Sequence, residues 1–283
     1  GSRDPFYYSI NAHYGSSDHE VFNDWGVQVP GIIMITWPDN YYHTSGDRPE
    51  ICDPTQLHRA IVIAAASAYT IAGADEDMAV KIASEVASNA EKRMSLKMRY
   101  DLAQLNGASA EDFKDLYKTA VFNQDALLSN ETATLATVME LAPSSALLDE
   151  YVKSLQASLK AVRAANGKNI DASMKAKAAT SGYAPVKVEL SAEEKAASKI
   201  YPHSTSKVKE YGYGVLRSIP SELTAKYGVR LTYSAEVAKL ASDGRNSVLD
   251  IKKMLDAQFP DSDSLESVMK YVELLKEAGL LEY

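Results

Sequence analysis

The stretch Pro30-Gly31-Ile32-Ile33-Met34-Ile35-Thr36-Trp37-Pro38-Asp39 decides the fold class of the first part of the chain. From Val29 to Thr36 the residues are apolar or β-branched, with no alternation of polar and apolar positions. A strand with one wetted face alternates. A run without alternation fits a strand covered on both faces, as in a parallel sheet flanked by helices. Pro38 ends it, because proline has no N–H to give to a ladder. The next loop, Asn40-Tyr41-Tyr42-His43-Thr44-Ser45-Gly46-Asp47, therefore stands beyond the carboxyl end of a buried strand. Open α/β sheets place their ligands there.

The flanks agree with an α/β reading. On the N-terminal side, Ser17-Asp18-His19-Glu20 opens a short helix with Asp18 as its cap, Val21, Phe22 and Trp25 as its apolar face, and Gly26 as its end. On the C-terminal side, Asp53-Pro54 starts a helix, with Asp as cap and Pro in the first helical position. Leu57, Ala60, Ile61, Ala64, Ala65, Ala68 and Ile71 form its expected buried face, and Gly73 closes it.

Three segments stand in order between Gly15 and Asp47: Gly15-Ser16-Ser17-Asp18-His19-Glu20-Val21-Phe22, the run from 30 to 39, and Tyr41-Tyr42-His43-Thr44-Ser45-Gly46-Asp47. Together they resemble the last third of the catalytic domain of the di-zinc aminopeptidases, the family of bacterial leucyl aminopeptidase, glutamate carboxypeptidase and, more distantly, glutaminyl cyclase. In that family a Ser-Asp-His/Tyr segment with a Phe three residues on precedes a short strand. An aromatic-His-Thr-x-x-Asp loop then supplies the last zinc ligand.

The resemblance implies that His43 binds zinc, a role suited to neutral imidazole on a rigid loop. It implies that Tyr42 donates its hydroxyl to the oxyanion of the tetrahedral intermediate, with Tyr41 as adjacent competitor. Asp18, beside His19, would order the site by hydrogen bonds, and Asp47 would brace the loop. The residues alone allow plainer roles: a locally bonded loop histidine, pocket-lining tyrosines and a helix cap. His13, His58 and His203 have no motif context, Trp25 and Trp37 read as core or pocket wall, and Cys52 as a small buried hydrophobe.

A pair of zinc ions needs a bridging carboxylate and further ligands, which the family takes from upstream of the Ser-Asp-His segment. No His-x-Asp and no Asp/Glu-Glu pair precedes residue 15, and Asp75-Glu76-Asp77 reads as a helix cap. At most one ligand is expected in this chain. Gly1-Ser2 is followed by Arg3-Asp4-Pro5-Phe6-Tyr7-Tyr8, which reads like the family's interior, so the chain is expected to be a C-terminal piece that is inactive alone. The complete bacterial protein would be a periplasmic or secreted exopeptidase, with any signal peptide upstream. It would hydrolyse N-terminal peptide bonds through metal-activated water. Its partners would be the peptide substrate and the missing N-terminal part, with homo-oligomer formation left open. A non-catalytic structural or protein-interaction module is the alternative.

From residue 74 the pattern becomes helical. Met78, Ile82, Val86, Ala90, Met94 and Met98 recur every four residues, with Leu102 and Leu105 beyond them, and Gly107 breaks the stripe. Ser109 and Asp112 cap a second helix carrying Phe113, Leu116, Tyr117, Ala120 and Val121. After Pro143 a third runs from Ala146 to Ala165 and is expected to end at Asn166-Gly167. These read as an antiparallel bundle, followed to residue 215 by an excursion with one short helix near 191 to 199. The last part, 216 to 283, has helical faces at Ser234 to Ala241, at Val248 to Gln258 and after Leu265, then a strand-like Leu280 to Tyr283. It resembles a winged-helix-type C-terminal extension. The expected division is thus 1–73, 74–215 and 216–283, mostly α overall.

Composition excludes some functions. The formal charge is −8, and from Arg217 to Tyr283 nine Lys and Arg face eleven Asp and Glu, the wrong balance for a duplex reader. The helix Val248 to Gln258 offers Lys252 and Lys253 against Asp250 and Asp256. No apolar run is long enough to span a bilayer, and one cysteine excludes an internal disulfide. Neither nucleic acid nor membrane is an expected partner.

Overall fold

The structure, a computed structural model, describes residues 3, 5–11, 17–24, 27, 29–259 and 261–283. Gly1, Ser2, Asp4, His13, Gly15, Ser16, Trp25 and Gly26, all named above, lie outside the described residues. The chain is mostly helical.

Its centre is a bundle of three long helices: α3 (Glu76–Gly107), α4 (Phe113–Ala136) and α5 (Ala146–Ser181). The 32 residues of α3 reach about 48 Å at 1.5 Å per residue. Asp75 caps α3 as expected, accepting the Met78 N–H at 2.9 Å. Ser145, which the sequence reading did not single out, accepts the Leu148 N–H at 2.9 Å. Before α4 the Ser109 hydroxyl bonds Asp112 at 2.7 Å, but Asp112 itself makes no side-chain cap bond.

The buried edge of α3 is Ala79, Ala83, Ala87, Ala90 and Met94: Ala90 and Met94 belong to the expected stripe, while in its first half the alanines one position on are buried and Met78, Ile82 and Val86 are half-buried. Alanines at the closest approach let α4 and α5 come near α3, while the larger neighbours close the seam from the side. Helix α5 also differs from expectation. It runs through Asn166-Gly167 to Ser181 and is stopped by Gly182 at φ 73°. A mid-helix glycine costs about 1 kcal/mol. Continuing the helix buries Ile170, Met174 and Ala178 in a second core with Leu105, Phe113 and Tyr117, which outweighs that cost. Gly167 also leaves room for Arg163: a Cβ there would stand 2.9 Å from its guanidinium.

A polar layer crosses the bundle. Asn166 donates to Gln124 Oε1 at 2.9 Å, Gln124 donates to the Met94 carbonyl at 3.2 Å, and Asn123 donates to Asp101 Oδ1 at 3.0 Å. Asp101 Oδ2 and Asn123 Oδ1 are buried with no hydrogen-bond partner. Burial pushes the Asp101 carboxyl up to about 6, against the pull of Lys97 and Asn123. A carboxyl whose folded pKa exceeds its unfolded one stabilises the fold most when protonated, and that contribution fades as pH rises through the folded value. Asp101→Asn is therefore expected to be more stable than the parent at pH 7.5, by up to about 2 kcal/mol. The difference should vanish near pH 4. Urea unfolding at both pH values measures it, and an unchanged gap would remove Asp101 as its source.

The C-terminal region has its own core. It includes α6 (Ala192–Ala197), α7 (Ser206–Tyr211), α8 (Ser221–Tyr227), α9 (Ser234–Leu240), α10 (Val248–Gln258) and α11 (Leu265–Glu277). Its two strands, β1 (His203–Ser204) and β2 (Leu281–Glu282), pair antiparallel with His203 opposite Glu282. Leu190, Ala197, Ile200 and Val208 join the same cluster as Val248, Ile251 and Leu275, so the excursion before residue 216 is largely part of this unit. α10 lies against α4, with Lys253 Nζ 4.4 Å from the Phe122 ring centre, and Lys118 pairs with Glu194 at 2.5 Å. The C-terminal unit leans on the bundle, as its thin amphipathic faces require.

The N-terminal segment behaves otherwise. Residues 29–36 are in no strand, and helix α2 (Pro54–Ala72) buries none of its residues. The expected buried strand and buried helix face are both solvent-exposed: Ile32 is 74 % and Ile71 59 % exposed. The physical reason is direct. A strand and an amphipathic helix are buried by neighbouring layers, and the described residues supply none for this segment.

Candidate functional site

Local bonds organise the loop at 39–48. Asp39 Oδ1 accepts the Tyr41 N–H at 2.8 Å, and Thr44 donates both its N–H at 3.0 Å and its hydroxyl at 2.7 Å to the Tyr41 carbonyl. Thr44 Oγ1 then accepts the Gly46 N–H at 3.1 Å, and Arg48 Nε reaches the Ser45 carbonyl at 3.0 Å. Thr44 thus carries the turn with its side chain, a common use of this residue type. A Cβ on Gly46 would come to 3.1 Å from the Tyr41 ring.

At the apex stands His43, at φ 59°, the one non-glycine residue with positive φ among those described. The left-handed region costs an L-residue roughly 1–2 kcal/mol. Such outliers cluster at functional sites. The His43 ring stacks on Tyr42 at 3.8 Å between centres, and Trp37 meets Tyr42 edge-on at 5.6 Å. All three side chains are largely exposed, which removes the first of the two readings of Trp37, core or pocket wall. Sequence reasoning named His43 for the family pattern around it; the positive φ is a separate feature of the same residue.

The other expected site residues are placed as follows. Asp18 precedes the short helix α1 (His19–Phe22), is exposed, and makes no side-chain cap bond. Asp47 is exposed and donates its N–H to the Thr44 carbonyl at 3.2 Å, a main-chain bond in which its carboxylate has no part. Cys52 is exposed, correcting its reading as a buried hydrophobe: it sits in the turn between Pro49–Ile51 and α2, where nothing covers it. Asp75 is a helix cap, as expected. His203 lies on β1, 3.4 Å from Glu282.

Asn23 was missed by sequence reasoning. Its side chain takes the Gly31 N–H at 2.7 Å and donates to the His19 carbonyl at 3.2 Å, buckling α1 to the extended run. Gly31 is the residue that permits this, since a Cβ there would meet the His19 carbonyl oxygen at 2.5 Å. Asp24 was missed as well: both its oxygens accept the Tyr213 N–H, at 3.0 and 3.1 Å, tying the segment to the C-terminal unit. A Pro-Gly pair after an Asn-bearing helix was the only signal available.

Residues 2–68 match the family description of peptidase family M28. The match covers α1, the extended run, the His43 loop and most of α2, and it stops before the bundle. No curated protein and no solved structure matches the chain. Over residues 2–68 the chain is thus similar to a family of peptidases, and the match covers less than half of the chain.

M28 peptidases are typically zinc-dependent. The described residues do not fit a zinc site by themselves, because no three His, Cys, Asp or Glu side chains among them are grouped to hold a metal ion. Structural and catalytic zinc alike require three or four protein ligands. His43, exposed at the tip of its loop, is one available imidazole.

Proposed function

We propose that the M28 segment closes the α/β domain of a zinc-dependent exopeptidase that cleaves N-terminal peptide bonds, and that it contributes His43 to a metal centre whose other ligands come from further polypeptide. The observation that carries this is the coincidence of the M28 match with a loop whose apex histidine is held in the left-handed region. The exposed apolar faces of the 29–36 run and of α2 support it, being the surfaces that an edge strand and a last helix would bury against the rest of such a sheet. Tyr42, against His43, is placed as the oxyanion donor, and Asp18 as a residue that orders the site. The enzyme acts in the periplasm or outside the cell on peptide substrates, and its C-terminal unit is a winged-helix-like extension that binds protein rather than DNA.

The second reading is a non-catalytic structural or interaction module. The absence of a three-ligand group among the described residues favours it. Metal analysis and an aminoacyl-anilide assay separate the two. The 283-residue chain alone is expected to hold no stoichiometric zinc and to show no turnover. The same chain carrying the rest of an M28-type domain is expected to show both. Zinc and turnover in the chain alone would mean that ligands within it had been overlooked. Neither appearing in the longer polypeptide would leave the second reading.

A further inference from the structure

We propose that the groove between α5 and the segment 183–190 is a docking site for an acidic peptide, which adds to that segment as a strand. The groove is built by α4, α5 and the segment itself.

The segment leaves α5 at Gly182 and is pinned by the Tyr183 N–H, which donates to the Ala178 carbonyl at 2.9 Å. Val186 and Val188 turn onto the second bundle core, and Leu190 onto the C-terminal core. Between them Lys187 and Glu189 are exposed. This period-two alternation is that of a strand with one face covered. Yet no partner strand is present: among the described residues, the backbone groups of 184–190 make no hydrogen bond. Pro185 has no N–H to give, but from Val186 on the free N–H and C=O groups of a segment with strand-like alternation are a template for strand addition.

The chemistry of the walls selects the occupant. Between Lys160 and Lys187 the sequence has six Lys and Arg (Lys160, Arg163, Lys168, Lys175, Lys177, Lys187) and one acid, Asp171, a local balance of +5 in a chain of −8. Arg163, Lys168 and Lys187 line a groove of about 420 Å³ with Val121, Val186 and Gly167. Arg163 is shared with Asp125 at 2.6 Å, but neither Lys168 nor Lys187 has an ion-pair partner among the described residues. The one carboxylate on the wall, Asp171, accepts the Tyr117 hydroxyl at 2.7 Å. Unpaired cations above an apolar floor and beside a free main-chain edge match a peptide that alternates acidic and aliphatic residues. A nucleic acid would satisfy the cations but has no strand to offer the edge. The inference rests on the bundle alone and is independent of the peptidase reading.

A short fluorescent peptide of alternating Glu and Val, titrated against the full chain at low salt, tests it by anisotropy. Saturable binding is expected, weakened at least about tenfold in a Lys168→Glu, Lys187→Glu double variant, where attraction becomes repulsion. Both lysines are exposed, so unchanged helical circular dichroism should accompany the loss. The same peptide N-methylated at alternate residues cannot form the ladder and is expected to bind at least tenfold more weakly. No saturable binding would overturn the proposal. So would equal binding of the N-methylated peptide, an unaffected double variant, or equal affinity for an oligonucleotide of matched charge, any of which would leave a non-specific anion surface at most.

Discussion

His43→Ala, made in the complete enzyme, is expected to remove activity by well over about a hundredfold, the upper range for losing a residue that merely supports a metal ligand, and to lower zinc content. Tyr42→Phe should lower turnover on the order of 10²–10³, as deletion of one oxyanion donor does elsewhere, with zinc content unchanged. The fold should not suffer, because the His43 ring is exposed and its contact is the stack on Tyr42. His43→Gly separates the two roles further. Glycine adopts φ 59° without strain, so that variant should be as stable as the parent or slightly more so, and just as inactive as His43→Ala. Metal content, turnover and thermal midpoint on all three variants decide it. If Tyr42→Phe changed only the apparent affinity for substrate, the tyrosine would be lining the pocket and not serving the oxyanion. If His43→Ala kept full activity and zinc, the assigned site would fall.

Arg93→Ala should destabilise the bundle by about 3 kcal/mol, lowering the midpoint by roughly 6–12 °C for a unit of this size. Arg93 reaches from α3 to Glu131 on α4 through two bonds of 2.6 Å, one from Nε and one from Nη2. The Glu131 side chain is 1 % exposed, whereas that of Arg93 is half exposed. Removing the arginine thus strands a carboxylate in the core, which costs more than the pair itself contributes. The stranded group can relieve its position only by taking a proton. The variant's deficit should then shrink as the pH is lowered. Replacing both partners, as Arg93→Met with Glu131→Leu, should recover most of the loss. Urea unfolding of the four proteins at pH 5 and 7.5 is the measurement. A loss in Arg93→Ala below about 1 kcal/mol would place the pair among ordinary surface bridges.

The sequence by itself determined the helical part of this protein to a useful degree. The cap at Asp75, the Ser109–Asp112 pair and the apolar spacing after them are local properties, written within a few residues of where they act. Helix α10 has the bounds its sequence indicates. The His43 loop was legible for the same reason, since Thr44, Gly46 and Asp39 hold it by bonds spanning two or three residues.

Only the tertiary structure decided what depends on distant partners. That α5 passes through Gly167 was settled by burial of Ile170 and Met174 against another helix, which no local rule contains. That the Asp101 carboxyl is raised follows from its enclosure by the bundle. The clearest case is the run from Val29 to Thr36, with the helix after Pro54. Their apolar patterns announce burial, and the described residues do not bury them. A pattern encodes a demand for a covering layer, while the layer itself must be provided by other residues, and across the described parts of this chain the structure shows none that provide it.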